Sequence, residues 1–415
     1  MTQPGAKTPF VAIACGGTGG HLFPGLAVAD QLTQRGCAVT LLISPKDIDQ
    51  QAVKTVGVQA LACPPGGTLK RELQHSAPLE ICTLPAVGLQ NRNYFSFAHS
   101  FWQSWRAARR LFKSHSPQAV LAMGGFTSAP PVLAAKKIGA KTFLHESNTI
   151  PGRANRFLAR YVDEAFVGFS ETAARLKARK VTTTGTPVRP QFQLCNPGPC
   201  RAALGLDPQC STILIMGGSQ GASGINEMIL SALSKLSALQ YLHLTGVNDF
   251  EKVKAAYIAH GIKAVVKPFL AEMNQALGAA TIAVSRAGAS SLAEIAAMRL
   301  PSLLVPFPAA ADNHQFYNAR AFEATGAARL LEQKNATPEK VAAILLELAK
   351  NKTSRTAMQT ALAQWHAPRA AEQIAENILN ACWSSSFSLP DANRLKPEPQ
   401  HPCSGEPKEN HVCTA

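Results

Sequence analysis

Residues 10–36 read FVAIACGGTGGHLFPGLAVADQLTQRG. Phe10–Ala14 is a short, unbroken apolar run, the pattern of a strand buried on both faces of a parallel sheet. GGTGGH, Gly16 to His21, turns the chain. The stretch after it reads as a helix, with Pro24 near its first turn and Gly36 at its end. Working outward, Val39–Ile43 is the next strand, followed by apolar runs at Ala119–Met123, Lys141–His145 and Ala165–Val167. Strands alternating with helical stretches predict a parallel sheet covered on both faces.

The pattern pauses after GTPVR (Gly185 to Arg189). Residues 191–210, QFQLCNPGPCRAALGLDPQC, are rich in Pro, Gly and Cys and read as a linker. It restarts at Thr212–Met216, with GGSQGASGIN and a helix through Leu236, then strands at Tyr241–Thr245, Ala264–Val266, Thr281–Val284 and Ser302–Val305. Two α/β units follow one another, each opening with strand, glycine loop and helix. The expected division is residues 1–188, residues 189–368, a helix at 369–382 returning to the first unit, and a polar, Pro-rich tail at 383–415 that reads as disordered.

The 415 residues carry 41 Lys and Arg against 26 Asp and Glu, a net charge of +15. Residues 1–189 hold 22 against 9, leaving only +2 for the rest, so the first unit is expected to face something anionic. No run of about 18 uncharged apolar residues predicts a membrane-spanning helix. The first residues lack the basic and apolar regions of a secretion signal. The ten cysteines form no CxxC and no zinc-finger spacing, which predicts a cytosolic chain with reduced thiols. Cys15 reads as a small buried strand-end residue.

A glycine turn between strand and helix lets backbone N–H groups approach a phosphate, and the helix start favours its charge. Neither loop is a dinucleotide fingerprint: Leu22 stands where the third glycine belongs in the first, and Ser219 breaks the spacing in the second. Gly20 and Gly25 have Walker A spacing, but Leu26 replaces the lysine. A third loop, Met123 to Pro131, also follows a strand. Glycine loops at equivalent places in two α/β units predict a ligand cleft between them.

GGTGGHLFPGLAVA, MGGFTSAPPVLAA, LHESNTIPGRANRFLA, GTPVR, GGSQGASGIN, SRAGASSLAEIAA and VPFPAAADNHQFYNA occur in this order across residues 10–320. Together they resemble the MurG family, UDP-GlcNAc transferases that convert lipid I to lipid II in peptidoglycan synthesis. The resemblance implies the GT-B fold, two Rossmann-like domains facing across a cleft, with acceptor on the first and donor nucleotide on the second. It implies an inverting transfer with no metal and no cofactor. The implied partners are UDP-GlcNAc, lipid I and other cell-wall and division proteins, and the implied place is the cytoplasmic face of the bacterial inner membrane. The implied catalytic groups are His21, as base near the acceptor hydroxyl, and Glu146, as alternative base or as a group that holds loop geometry. Thr18, Gly19, Gly20, Asn148, Arg189, Ser219 and Leu270 match donor contacts, Leu270 through its backbone. Ser219 also reads as a helix N-cap. By spacing alone Ser291-x-x-Glu294 is a capping box. By resemblance that helix start (Ala289, Ser290, Ser291, Leu292, Ala293 and Glu294) takes the donor phosphate, with Glu294 on the ribose hydroxyls. Gln315 matches one half of a Gln-Gln pair near the sugar, and His314 departs from the other half. Gly16, Gly17, Gly124, Gly125, Thr127 and Ser128 are the candidate acceptor loops.

A lipid acceptor requires a membrane face. Residues 94–113, YFSFAHSFWQSWRAARRLFK, put Phe97, Phe101, Trp105 and Phe112 near one helical face with Trp102 beside them. Arg106, Arg109, Arg110 and Lys113 form a basic stripe, which suits a peripheral contact with anionic lipid. Nucleic-acid binding is the rival reading of the charge, and no motif supports it. Two other reactions share the fold: sugar transfer to diacylglycerol and 2-epimerisation of UDP-GlcNAc.

Overall fold

The computed structural model describes residues 8–46, 49–50, 60–61, 79–86, 88, 94–218, 221–236 and 239–383. The first half runs β1 (Phe10–Ala14), α1 (Gly19–Gln34), β2 (Ala38–Ile43), β3 (Ala60–Leu61), β4 (Leu79–Thr83), α2 (Tyr94–Ser114), β5 (Ala119–Ala122), α3 (Ala129–Lys136), β6 (Lys141–Glu146), α4 (Arg153–Leu158), β7 (Glu164–Val167) and β8 (Val181–Thr183). Its strands are parallel, in the order β3-β4-β2-β1-β5-β6-β7-β8.

The second half runs α5 (Pro197–Ala203), β9 (Thr212–Met216), α6 (Ser223–Ala232), β10 (Gln240–Leu244), α7 (Phe250–Ala259), β11 (Ala264–Lys267), α8 (Met273–Ala279), β12 (Ile282–Ser285), α9 (Ala289–Ala297), β13 (Ser302–Leu304), α10 (His314–Ala324), β14 (Arg329–Leu330), α11 (Pro338–Lys350), α12 (Lys352–Trp365) and α13 (Ala370–Trp383). Its strands are also parallel, in the order β11-β10-β9-β12-β13-β14.

Strand order decides where ligands go. In the first sheet the order reverses direction between β1 and β5, in the second between β9 and β12. Open parallel sheets bind ligands outside the strand C-termini at such points. GGTGGH and MGGFTS follow β1 and β5, and GGSQG and SRAGAS follow β9 and β12.

The unbroken apolar character of β1 has a packing cause. Val11, Ile13 and Cys15 enter a core with Leu22 and Leu26 of α1, whereas Ala12 and Ala14 enter another with Phe112 of α2 and Val132 of α3. The last described helix completes the first of these cores: Ala371, Ile374, Ala375, Ile378 and Leu379 of α13 recur at helical spacing and are buried against α1. A fully buried Ile or Leu is worth about 1.5–3 kcal/mol, so these side chains dominate over the half-exposed ion pairs of Arg35 with Glu372 and Glu376 at 3.4 and 3.7 Å.

Several expectations need correction. Residues 191–210 are not a free linker. Asn196 caps α5 by accepting from the Gly198 N–H at 3.0 Å, Arg201 donates to the Ala279 carbonyl at 2.8 Å, and Leu204 and Leu206 lie in the core of the second domain. Pro24 lies inside α1, because the helix starts at Gly19 within the glycine loop. Ser291 is no N-cap: α9 starts at Ala289 after Gly288, so Ser291 is already the third helical residue. On α2 the buried stripe is Ser100, Ser104, Ala108 and Phe112, so Phe112 is core and does not share the aromatic face. Residues 384–415, most of the expected tail, lie outside the described residues.

Candidate active site

The helix starts that follow β1 and β12 meet across the cleft. The Ser290 hydroxyl in the first turn of α9 donates to the Gly20 carbonyl in the first turn of α1, at 3.4 Å. Thr18 and Gly20 are exposed there, whereas Gly16 and Gly17 are buried. Gly19 and Gly20 stand at a helix start, where no preceding turn supplies carbonyls for their N–H groups.

His21 is held by both glycine loops of the first domain. Its Nδ1 is hydrogen-bonded with Thr18 Oγ1 at 3.1 Å. Its ring lies against Gly124 and Gly125. Gly124 has φ +109°, and a β-carbon there would stand 3.0 Å from the imidazole Cδ2 and Nε2. Burial lowers the proton affinity of His21; Glu146 and Asp49 oppose that effect, and His314 and Lys46 add to it. The ring is therefore neutral at physiological pH.

The remaining candidate acceptor groups knit the loops together. Thr127 Oγ1 donates to the Gly16 carbonyl at 2.7 Å, the Gly17 N–H donates to Asp49 at 2.6 Å, and the Gly124 N–H donates to Ser128 Oγ at 3.0 Å. Thr127 and Ser128 are fully buried. Their place in the structure is under the loops.

Glu146 ends β6 with its carboxylate enclosed. It accepts from the Asn148 N–H at 2.9 Å, Asn148 Nδ2 at 3.0 Å, the Gly152 N–H at 2.8 Å and Asn155 Nδ2 at 2.9 Å. That set fixes the turn carrying Asn148. Asn148 Oδ1 in turn accepts from Asn318 Nδ2 of α10 at 3.0 Å. Asn318 Oδ1 accepts from the Thr149 N–H and hydroxyl, both at 2.9 Å. Asn318 is wholly buried, so these bonds tie the two domains at a dry point. An Arg156–Asp312 ion pair at 2.6 Å adds an exposed tie. Asp312 and the following Asn313 are both left-handed, with φ 51° and 54°, just before α10. Gln315 and His314 sit in the first turn of α10: Gln315 Oε1 accepts from the Phe307 N–H at 3.0 Å, and His314 Nδ1 bonds the Ala311 carbonyl at 2.8 Å.

Arg189 spans the cleft floor. Its guanidinium stacks 4.3 Å from the Phe23 ring of α1 and 5.1 Å from Phe192, and reaches Glu294 of α9 at 3.9 Å. Its Nε is buried without a partner among the described residues. Burial pushes the Glu294 carboxyl up to about 7, and the nearby Arg189 charge only partly offsets it. Leu292 and Ala289 of the same helix are core residues, so their side chains do not line the cleft. Leu270 has its side chain in the core of the second domain, beside the exposed Phe269. Ser219 lies outside the described residues.

The candidate membrane residues form a separate cluster. Phe97 packs on Phe101, the Arg106 guanidinium lies 4.6 Å from the Trp102 ring, and Arg109 lies 4.8 Å from Trp105. Phe101, Trp102, Trp105 and Tyr161 line an apolar groove of about 520 Å³ with Lys136 and Lys137 at it. Arg110 is exposed on the same helix. No described helix is long and apolar enough to cross a membrane. Among the described residues no group of three His, Cys, Asp or Glu is placed to hold a metal.

Sequence reasoning missed Asp49, Arg156 and Asn318. Asp49 stands in a stretch without periodicity, and Arg156 and Asn318 acquire their roles only through contacts about 160 residues away in sequence. The helix that carries Asn318, HQFYNARAFEA, has no clear apolar face, so no periodicity marked the residue.

Comparison with known proteins accounts for both halves. Residues 11–167 match the glycosyltransferase family 28 N-terminal domain, and residues 212–374 match its C-terminal domain. A relative from Anaeromyxobacter dehalogenans, named UDP-N-acetylglucosamine--N-acetylmuramyl-(pentapeptide) pyrophosphoryl-undecaprenol N-acetylglucosamine transferase, is 36% identical over 403 residues, covering 94% of this chain and 99% of the relative. The crystal structure of Acinetobacter baumannii MurG superposes with a TM-score of 0.67 at 27% identity, covering 90% of this chain and 99% of that one. A crystal structure of UDP-N-acetylglucosamine 2-epimerase gives a TM-score of 0.63 at 13% identity, covering 93% of this chain and 98% of that one, a likeness of fold alone. The domain matches, the near-full-length identity and the shared GT-B architecture lead to one conclusion: this chain is a glycosyltransferase and belongs to the MurG family.

Proposed function

We propose that this enzyme transfers GlcNAc from UDP-GlcNAc to the 4-hydroxyl of the MurNAc of lipid I, giving lipid II. The observation that carries the reading is the meeting of the α1 and α9 starts at Ser290 and Gly20, with neutral His21 on one side and Glu294 on the other. With hydrogen on Nδ1, shared with Thr18, the Nε2 lone pair of His21 takes the acceptor proton. The acceptor oxygen bonds the anomeric carbon as the bond to the UDP oxygen breaks with its electron pair. The attack comes from the opposite face, so the product is β. The first turn of α9 and the Arg189 guanidinium stabilise the departing charge. Glu294 accepts the ribose hydroxyls, and Leu270 reads the base through its backbone. Asn148 and Gln315 stand at the sugar, and Glu146 holds the turn beneath Asn148. The acceptor diphosphate meets the free first-turn N–H groups of α1, while Gly16, Gly17, Gly124, Gly125, Thr127 and Ser128 form the frame that aims them.

The working division is residues 1–188 for the acceptor, 189–368 for the donor, and the return helix after 369. The aromatic and basic cluster on α2 rests on anionic lipid at the cytoplasmic face of the inner membrane, bringing the cleft to a lipid-linked acceptor. Each Arg or Lys near such a surface contributes about 1 kcal/mol. Replacing Arg106, Arg109 and Arg110 by Ala therefore weakens binding to anionic vesicles about a hundredfold and leaves UDP affinity unchanged.

The deciding experiment is transfer of labelled GlcNAc from UDP-GlcNAc to a lipid I analogue. A β-linked disaccharide lipid supports the reading. Transfer to diacylglycerol, or 2-epimerisation of the donor without transfer, keeps the fold and overturns the function.

A further inference from the structure

Asp49 lies directly under the first glycine loop, fully buried. Its Oδ2 accepts from the Gly17 N–H at 2.6 Å and from the Ser44 N–H at 3.2 Å, and also from the Ser44 hydroxyl. Its other oxygen is buried with no partner among the described residues. Around it the loop is closely packed. A β-carbon on Gly16 would stand 2.3 Å from the Ser44 backbone nitrogen, and Lys46 Nζ donates to the Gly17 carbonyl at 3.4 Å while lying over the Phe126 ring at 5.1 Å.

Three donors to one oxygen account for how the loop is pinned to the end of β2. They do not account for a charge. A neutral amide of the same shape accepts the same three bonds, and a buried carboxylate with one bare oxygen costs folding free energy. The charge has a second use within reach. Thr18 follows Gly17 directly and His21 stands four residues after it, and the charged or titratable groups facing His21 are Asp49, Lys46, Glu146 and His145 from the first domain and His314 from the second. Glu146 spends its charge on four donors. Asp49 is the carboxylate left uncovered.

We propose that Asp49 is a positioning residue of the transfer reaction: it fixes the Gly16–Thr18 turn that carries His21, and its uncovered negative charge favours the imidazolium formed as His21 takes the acceptor proton. This inference rests on His21 being the base. Burial drives His21 towards the neutral form; Glu146 and, after it, Asp49 act against that drive and so favour the protonated ring.

The test uses the full chain and measures kcat and both KM values from pH 5 to 9, with thermal unfolding alongside, for wild type, Asp49→Asn and His21→Ala. Asp49→Asn keeps the acceptor for Gly17 and Ser44 but removes the charge. The expected result is a kcat about tenfold lower, an acidic limb of kcat displaced to lower pH by about half a unit to one unit, and an unchanged donor KM. Loss of thermal stability with the kcat profile unmoved would make Asp49 structural only and overturn the proposal. Should Asp49→Asn not fold, Ser44→Ala takes its place. That change removes a donor and leaves the charge less covered, so the acidic limb moves to higher pH, and an unmoved limb overturns the proposal. Retained transfer in His21→Ala would remove the reading of the base itself, a failure visible whatever the Asp49 variant does.

Discussion

At the start of α1 burial surrounds a histidine; at the start of α9 it surrounds a glutamate. Both helices follow a strand at a reversal of sheet order, and they touch at Gly20 and Ser290. The same loss of water acts oppositely on their proton affinities, because each group resists its charged form. His21 loses affinity and stays neutral, ready to accept a proton. Glu294 gains it, to about 7. Under the proposed mechanism one start serves proton transfer and the other a ligand whose hydroxyls donate to its carboxylate.

The largest effect tests the first half of that contrast. His21→Ala lowers the transfer rate by about 10²–10⁴-fold, the range of general-base catalysis, with UDP affinity within about twofold of wild type by calorimetry. An equal loss of UDP affinity would move His21 to the donor side and erase the contrast. Next is the tie that holds the two starts together. Asn318→Ala leaves the Thr149 N–H buried without an acceptor, at a cost of about 2 kcal/mol, read as a fall of several degrees in the thermal midpoint. An unchanged midpoint would show that the domains are tied elsewhere.

Glu294 gives a pH signature. Its carboxyl is raised from its ordinary 4.5 to about 7. If, as proposed, ribose hydroxyls donate to the ionised form, UDP affinity holds above pH 7 and falls by up to about tenfold for each unit below it. Glu294→Gln flattens that dependence, and an equally steep profile in the variant would assign it to another group. The linked effect on folding has the opposite slope. A carboxyl raised by burial contributes its stability in full below the unfolded value, and that contribution is lost as pH rises through 7. The smallest effect is Ser290→Ala. It removes one long hydrogen bond of about 0.5 kcal/mol and changes the acceptor or donor KM by about twofold at most. A tenfold change would mean that Ser290 contacts substrate directly.

The apolar runs from Phe10 to Ala14 and from Thr212 to Met216 were legible as parallel strands because both faces of each are buried, whereas a strand with one wet face alternates apolar and polar residues. The turn from strand to helix after each was legible from its glycines. Side-chain direction was not. Leu292 and Ser290 are two residues apart on one helix start, yet Leu292 faces the core and Ser290 reaches Gly20. Phe112 fell into the aromatic reading of α2 and lies in the core, because its turn, not its chemistry, faces the sheet. The reading of residues 191–210 as a linker failed on composition: Pro197 and Gly198 open a capped helix there, where proline and glycine are as much at home as in a loop.

The chain's local pattern therefore determined the two α/β units, the three glycine loops at strand ends and the residue types available for chemistry, since these depend on neighbours a few positions apart. Tertiary structure alone decided the charge state of His21 and Glu294, the tie from Asn318 to Thr149 and the placing of Asp49 beneath Gly17. Each of these depends on which groups exclude water from one another. Desolvation and Coulomb terms act through space, between residues that the order of the sequence leaves far apart.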